Sequence, residues 1–205
     1  MEAKLIAIAH SPKQKLQLEV QQSGSDLSFS LIHGGCLLFD RSSLGLDFVG
    51  GGKEPITLTW TDMCAMPEDG VELMTTFSRG AEWFVIRFLL RDDCLSFRYE
   101  LYNTGDRSVV GEKTCFHFGP DANFLIDQDV YKVVDARGLK LPVLLEMDNG
   151  LYVGVRRTPS LSSSEPMLRL KSGRHLEVLC GTERESKEAV GHLITPWWIL
   201  AITQP

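Results

Sequence analysis

Apolar and polar residues alternate along much of the chain, and this period of two is typical of strands with one buried face. The clearest stretch is LRDDCLSFRYEL at residues 90–101, where the odd positions from 95 to 101 are apolar and the even positions between them are polar. Asp92 and Asp93 stand just before this alternation and favour a turn, because short acidic side chains bond the local backbone. The stretch therefore predicts a turn followed by a core strand.

Similar short alternations recur along the chain and are separated by turn-forming residues. The Asn149-Gly150 pair is the strongest hairpin signal, whereas residues 187–192 favour one short helical turn at most. Many short strands with closely spaced turns predict an all-β fold, a β-sandwich. The predicted strands are residues 16–20, 27–33, 36–40, 42–48, 56–60, 71–77, 82–90, 95–101, 112–118, 142–147, 151–155, 167–170, 175–180 and 197–203.

Composition indicates one globular unit. The chain has 205 residues, of which 43% are hydrophobic and 23% charged, and no change of composition divides it. A chain of this size buries roughly 70% of its unfolded surface, so neither a metal nor a disulfide is needed to hold a core. We expect a single domain over residues 1–205.

The formal net charge of −6 opposes binding to phosphate backbones and to anionic lipid. We therefore expect neither nucleic acid nor a membrane as a partner. The first ten residues contain a five-residue apolar run and no cationic leader, so they resemble neither a signal peptide nor a membrane span. The protein is expected to be cytoplasmic if Met1 is the native start, and periplasmic or secreted if the chain has been trimmed.

Five cysteines are too widely spaced for a CxxC metal or redox motif, and their odd number leaves at least one thiol unpaired within the chain. We expect them to be small buried thiols. They are Cys36, Cys64, Cys94, Cys115 and Cys180.

Candidate acid–base groups are few. Asp92 and Asp93 cannot act as a pair across a sugar bond, because adjacent residues in a turn point apart. Glu100 is expected in an exposed or cross-strand ion pair, and in one with Arg98 only if the strand bends. The five histidines lack metal-ligand spacing.

Four tryptophans are candidates for sugar stacking, because the C–H faces of sugars pack on indole rings whose N–H remains available. They are Trp60, Trp83, Trp197 and Trp198. Trp197 and Trp198 must face opposite sides of any strand, so one can lie in the core and the other outside. For Trp198 the alternatives are packing on another domain, partial exposure and contact with a sugar.

Six segments follow one another in a fixed order: SPKQKLQLEV at 11–20, SSLGLDF at 42–48, LRDDCLSFRYEL at 90–101, EKTCFHF at 112–118, LPVLLEMDNGLYVGV at 141–155 and TPWWILAI at 195–202. In this order they resemble the N-terminal domain of glycoside hydrolase family 97, over about residues 11–203. That resemblance implies a β-super-sandwich of two large antiparallel sheets, similar to galactose mutarotase, which precedes a catalytic (β/α)8 barrel in α-glucosidases and α-galactosidases. It also implies that the catalytic carboxylates lie on the barrel. If the sandwich is similar to galactose mutarotase, His117 has the character of a group that could protonate a sugar ring oxygen, with a glutamate base across the cleft.

Three functions follow as hypotheses. The first is a non-catalytic accessory domain that packs on a catalytic barrel and shapes its cleft for an α-glucoside or α-galactoside. The second is a free-standing carbohydrate-binding module, and the third is a mutarotase-like sugar epimerase. For the first two, the candidate carbohydrate or interdomain contacts are Trp198, Trp197, His117 and Arg157.

The chain differs from the calcium-dependent members of the family that it resembles at the position of one calcium ligand. In the calcium-dependent members, a strand similar to residues 151–155 is followed by a glutamate that helps to hold the ion. Here Arg157, or Arg156, occupies that place. A guanidinium cannot ligate a hard cation and its charge repels one. Glu165 would need a register shift to substitute, so we expect no calcium ligand, no other metal site and no cofactor.

Overall fold

The computed structural model describes residues 3–48, 55–67, 69–80, 82–102, 109–119, 124–125, 139–147, 150–158, 167–172, 175–179 and 192–204. Every regular element among them is a β-strand. The strands of the first part of the chain are β1 (Lys4–His10), β2 (Leu16–Ser23), β3 (Asp26–His33), β4 (Cys36–Leu44), β5 (Leu46–Phe48), β6 (Thr57–Met66), β7 (Gly70–Arg79), β8 (Glu82–Arg91) and β9 (Cys94–Tyr102).

The remaining strands are shorter. They are β10 (Val109–Glu112), β11 (Cys115–His117), β12 (Phe124–Leu125), β13 (Leu139–Lys140), β14 (Val143–Met147), β15 (Tyr152–Arg157), β16 (Met167–Ser172), β17 (His175–Leu179), β18 (His192–Ile194) and β19 (Trp198–Thr203). The predicted helical turn at residues 187–192 lies almost wholly outside the described residues.

Two large antiparallel sheets form the fold, which confirms the prediction of an all-β sandwich. An eight-stranded sheet has the order β1-β2-β3-β4-β11-β17-β16-β13. A nine-stranded sheet has the order β12-β14-β15-β19-β9-β8-β7-β6, with β18 paired to β9 outside this path, and β10 pairs with β5 in a separate ribbon. The likeness to galactose mutarotase and the single domain over residues 1–205 stay predictions.

Aromatic rings join the two sheets in the core. Phe29 of the eight-stranded sheet and Phe97 of the nine-stranded sheet have ring centroids 5.6 Å apart, and Phe116 and Trp198 meet in the same way at 5.5 Å. All four side chains are completely buried. The alternation of residues 95–101 thus places its apolar side in this core, as the sequence predicts.

The other side of the nine-stranded sheet is not covered by the eight-stranded sheet, and we call it the outer face. Directly opposed residues of antiparallel strands share a face. Trp83 and Tyr102 are opposed across β8 and β9, as are Arg87 and Arg98, and all four belong to the outer face because their strand neighbours point into the core.

Several strand boundaries differ from the sequence prediction. β1 was not predicted, because its apolar residues do not alternate with polar ones. Residues 36–44 form one strand rather than two, and they pass a register shift next to Arg41, whose φ is 45°. β6 continues to Met66, further than its alternation extends.

The cysteines are less buried than expected. Cys64 is exposed on β6, so the expectation of a buried thiol is wrong there, because β6 is an edge strand. Cys36, Cys94 and Cys115 are half-buried, and these four described cysteines form no disulfide with one another. Cys180 lies outside the described residues. The described part of the chain holds no helix that is long and apolar enough to span a membrane.

Candidate functional site

Trp198 lies in the core beside a buried carboxylate. Its neighbours on the inward side of β19 are Leu200 and Ile202, so the alternation of the strand directs the indole into the sandwich. The indole N–H donates a hydrogen bond of 2.7 Å to Oε2 of Glu112 at the end of β10. The Glu112 side chain is only 5% exposed, so the indole supplies a donor where water has little access.

Arg157 completes this cluster. It is the last residue of β15 and lies directly opposite Trp198 of β19. Its Nη2 donates to Oε1 of Glu112, and its guanidinium carbon lies 5.2 Å from the centre of the Trp198 ring. The Arg157 Nε is buried and has no hydrogen-bond partner among the described residues. We call Glu112, Arg157 and Trp198 the interior cluster.

Tyr99 extends the interior cluster toward the ribbon of β5 and β10. Its hydroxyl accepts a hydrogen bond of 3.1 Å from the Gly45 backbone N–H and lies 2.8 Å from the Thr114 hydroxyl. Thr114 in turn lies 3.5 Å from Oε2 of Glu112. Apart from the Arg157 Nε, the named polar groups from several parts of the chain therefore find partners inside the sandwich, as most buried polar groups do.

Burial shifts the pKa values of two groups in and beside the interior cluster, Glu112 and Tyr99. Burial raises the pKa of Glu112, and the Arg157 charge and the hydrogen bonds from Trp198 and Thr114 offset this only in part. Burial also raises the pKa of Tyr99, and the Glu112 charge raises it further. The Glu112 and Tyr99 side chains are enclosed by the sandwich, so a substrate cannot reach them. Their role is to hold parts of the fold together.

A second charged cluster lies on the outer face. Glu100 accepts from Arg87 at 2.8 and 3.2 Å, from Arg98 at 2.8 and 2.5 Å, and from the Tyr102 hydroxyl at 2.8 Å. Arg87 also donates to Glu72 at 2.7 Å. Two arginines directly opposed across neighbouring strands would repel each other, and the carboxylates between them offset this repulsion. We call these five residues the outer cluster.

Glu100 is held ionised. Its side chain is 2% exposed, and burial alone would raise its pKa. Hydrogen bonds from Arg87, Tyr102 and Arg98 outweigh that effect and lower the pKa of Glu100 to about 2. A carboxylate with three donors and so low a pKa is a poor general base at neutral pH, because it has little tendency to take a proton.

Trp197 borders the outer cluster. The Arg98 guanidinium carbon lies 4.5 Å from the centre of the Trp197 ring, a cation–π arrangement. The Trp197 backbone N–H donates 2.9 Å to the Thr158 hydroxyl, which fixes the residue beside β15. Nearby, the Tyr102 ring stacks on His192 at 4.4 Å, and Ile194 is 47% exposed. We call Tyr102, Ile194 and Trp197 the outer patch.

The four predicted contact residues do not meet in one place. Trp198 and Arg157 lie together in the interior cluster, and the prediction that Trp198 is available to a sugar or another domain is wrong, because its side chain is completely buried. Trp197 is the half-buried residue that faces outward. His117 lies in the eight-stranded sheet, where its backbone N–H donates a hydrogen bond of 3.0 Å to the Ser42 hydroxyl. Its neighbour Phe116, and not His117 itself, contacts Trp198.

The paired acidic residues have the predicted structural role. Asp92 and Asp93 form the turn between β8 and β9, and Asp92 accepts a hydrogen bond of 2.8 Å from the Lys13 backbone. The cross-strand ion pair expected for Glu100 forms with Arg87. The expectation that Arg98 would pair with it only in a bent strand is wrong, because residues two apart share a strand face and Arg98 bonds to Glu100 in a strand without a register shift. Among the described residues there is no group of three or more His, Cys, Asp or Glu side chains that could hold a metal ion. Glu165 lies outside them.

The model of one protein family, described as glycosyl-hydrolase 97 N-terminal, matches residues 9–205. No curated protein sequence matches the chain. Among solved structures, a β-arabinopyranosidase is similar at 18% identity and a TM-score of 0.76, over 96% of this chain and 40% of that one.

Two structures of a glycoside hydrolase family 97 enzyme from Pseudoalteromonas sp. strain K8 are similar at 16% identity. The complex with acarbose has a TM-score of 0.73, and that of a variant with panose has a TM-score of 0.72. Each is matched over 97% of this chain and 36% of the other. At such identities the likeness shows a shared fold, and the chain spans less than half of the length of these three structures.

Proposed function

The chain belongs to the glycosyl-hydrolase 97 N-terminal family, an accessory domain of family 97 enzymes, and we propose that it packs on a catalytic (β/α)8 barrel and shapes the carbohydrate cleft there. The observation that carries this proposal is the unequal coverage of the similar structures. Almost all of this chain matches, but it accounts for only 36–40% of each of those chains. This coverage is what we expect of one domain that acts beside a larger catalytic domain.

The proposed substrate class is an α-glucoside or α-galactoside. The Pseudoalteromonas enzyme was solved with acarbose and with panose, and this supports a carbohydrate role for the cleft that the domain would border. We assign no catalytic residue to this chain. Glu112 is enclosed in the core, and Glu100 is held ionised by three donors, so neither suits proton transfer to a sugar.

The outer patch is the proposed contact with the barrel. Tyr102 and Ile194 are 39% and 47% exposed, and Trp197 is half-buried beneath Arg98. Aromatic residues and arginine are enriched at the centres of protein interfaces, where they combine apolar area with directed hydrogen bonds. The hydrogen-bonded charged groups of the outer cluster lie next to the exposed apolar side chains of the outer patch. This combination suits a barrel surface that has both apolar and polar groups.

The mutarotase-like alternative has less support. That chemistry needs a histidine acid and a glutamate base on opposite sides of one sugar. His117 belongs to the eight-stranded sheet, whereas Glu100 is on the outer face of the nine-stranded sheet and already accepts five hydrogen bonds. No observation brings these two groups to one cleft.

Side-chain footprinting with hydroxyl radicals tests the proposed contact. The oxidation of Tyr102, Ile194 and Trp197 is compared between the 205-residue chain and the complete gene product that contains it. We expect these side chains to be protected in the complete product, while Ile8, which is 42% exposed on the eight-stranded sheet, is oxidised equally in both. Equal oxidation of the outer patch in both samples would refute the contact.

A matched pair of variants adds a functional measurement. Ile194→Asp places a charge in the outer patch and is expected to lower glycoside hydrolysis by the complete product. Ile8→Asp makes the same change at a similarly exposed position outside the patch and should leave hydrolysis unchanged. The proposal fails if both variants hydrolyse the substrate as the unmodified protein does.

A further inference from the structure

Two exposed tryptophans stand on either side of one strand of the outer face. Trp60 of β6 lies directly opposite Thr76 of β7, and Trp83 of β8 lies directly opposite Ser78 of β7. Trp60 is 57% exposed and Trp83 is 48% exposed. The outward side chains between them are therefore two small hydroxyl residues. We call these four residues the tryptophan groove.

The spacing of the strands gives the groove a width. Neighbouring strands lie about 4.8 Å apart, so the backbones of β6 and β8 are separated by roughly 10 Å across β7. Trp60 and Trp83 are offset by two residues along β7, because they face Thr76 and Ser78. The two tryptophans therefore stand diagonally across a floor of small side chains.

Polar groups of the groove are available to a ligand. Within the described residues, neither indole N–H has a hydrogen-bond partner, and the Thr76 and Ser78 hydroxyls have none either. The next row of the sheet carries Asp62, which lies opposite Met74. Its Oδ1 accepts from the Met63 N–H, and the carboxylate can accept further hydrogen bonds.

We propose that the tryptophan groove binds a pyranose ring of an oligosaccharide. The two indole faces would pack on sugar C–H groups, since tryptophan combines a large apolar face with one polar edge. The hydroxyls of Thr76 and Ser78 would bond to sugar hydroxyls from below. The choice of a carbohydrate as the occupant rests on the proposed function, whereas the position of the site rests on the four side chains.

The groove adjoins the outer patch at one point, because Trp83 lies directly opposite Tyr102. Trp60 lies on β6 at one edge of the nine-stranded sheet, while Ile194 and Trp197 lie beyond β9 on its other side. A sugar in the groove would therefore lie beside the proposed contact with the barrel.

Titration of the 205-residue chain with panose tests the site. We expect indole fluorescence to change and to saturate, with affinity in the millimolar range that is common for a few stacking contacts. Trp60→Ala and Trp83→Ala should each weaken binding at least about fivefold, because each removes one stacking face. Leu144→Ala, at a residue of the same face that is 66% exposed on β14, should leave the affinity unchanged.

A second measurement uses the unmodified chain, and one conservative variant accompanies it. Saturation-transfer NMR on the unmodified chain should show transfer from the protein to ring C–H protons of panose. Thr76→Val preserves the shape of the floor and removes one hydroxyl, so it should weaken binding without changing the fold, as circular dichroism would verify.

Three outcomes would overturn the site. One is the absence of both a saturable fluorescence change and saturation transfer with panose. Another is binding that survives unchanged in Trp60→Ala and Trp83→Ala, which would place the sugar elsewhere. The third is protection of Trp60 from oxidation in the complete gene product without sugar, because the barrel would then cover the groove. Trp83 is not used for this test, since it lies opposite Tyr102 of the proposed contact. None of these results bears on Ile194 and Trp197, so the proposed contact with the barrel is tested separately.

Discussion

Trp198 and Glu112 are joined by a 2.7 Å hydrogen bond in the interior of the sandwich, although they are 86 residues apart in sequence. Trp198 belongs to the nine-stranded sheet and Glu112 to the ribbon of β10 and β5. Arg157 reaches the other oxygen of the same carboxylate. One buried carboxylate thus fixes the position of the ribbon against the large sheet.

Removing the charge of Glu112 should destabilise the fold strongly. In Glu112→Gln the Arg157 guanidinium, which is 11% exposed, would keep its charge without a counter-ion. Breaking a buried ion pair in this way costs about 3–5 kcal/mol of unfolding free energy. Urea denaturation of the variant and of the unmodified chain measures this loss. The control is Asp47→Asn, which breaks an exposed pair with Lys113 and should cost less than about 1 kcal/mol. Similar losses in the two variants would contradict the interior role of Glu112.

The hydroxyl of Tyr99 should contribute to stability through two partners. Tyr99→Phe leaves the Gly45 N–H and the Thr114 hydroxyl without this bond inside the fold. We expect a loss of about 1–3 kcal/mol in the free energy of unfolding, which thermal or urea denaturation would detect. Tyr152→Phe, at a half-buried tyrosine of β15, should change stability by less than about 0.5 kcal/mol. A neutral Tyr99→Phe would show that water satisfies both groups.

Acid should destabilise the protein in part through Glu100. The pKa of Glu100 is about 2 in the fold and 4.5 ordinarily, so the unfolded chain binds the proton more readily. Stability from this group is complete above about pH 4.5 and is lost as the pH falls toward 2, with a total of roughly 3 kcal/mol. Denaturation at several pH values should show a shallower decline over this interval in Glu100→Gln. If stability declined equally steeply with falling pH in Glu100→Gln and in the unmodified chain, a group other than Glu100 would be responsible for the acid sensitivity.

A side chain at Gly119 should not be tolerated. A Cβ added there would lie 2.0 Å from the Leu37 carbonyl oxygen, which belongs to the backbone and cannot rotate away. Gly119→Ala should therefore destabilise the fold by about 3 kcal/mol or more, or prevent folding. Gly154→Ala is the matched control, because its nearest contact would be 3.8 Å. Comparable melting temperatures for the two variants would contradict the close approach at Gly119.

Calcium should leave the isolated chain unchanged. Arg157 stands where the resemblance to calcium-dependent relatives would require a glutamate, and its guanidinium is bonded to Glu112. We expect no heat of binding in a calorimetric titration with calcium chloride and no shift of the melting temperature. A site of micromolar affinity that Glu165→Ala abolishes would refute this prediction.

The sequence predicts the sheets better than the polar clusters. The alternation of residues 95–101 specifies β9, because a period of two also decides which side is buried. Trp197 and Trp198 were correctly placed on opposite sides, but alternation alone cannot say which of them faces the core. That choice is made by Phe116 and Glu112, which belong to other strands.

The interior cluster has no signal in the sequence. Glu112 is 45 residues from Arg157 and 86 from Trp198, and no motif links them. The outer cluster had a partial signal, since Arg98 and Glu100 share a face by their spacing. The partnership with Arg87 depends on the register of the β8–β9 hairpin, which the turn at Asp92 and Asp93 sets.

The place of β19 has a consequence for the order of assembly during synthesis. This last strand lies between β9 and β15, in the middle of the nine-stranded sheet. β6 to β9 can pair as successive hairpins once they leave the ribosome, but the free edge of β9 must wait for residues 198–203. Because Trp198 also brings the donor for Glu112, this side of β9 stays without its β19 partner until residues 198–203 have left the ribosome.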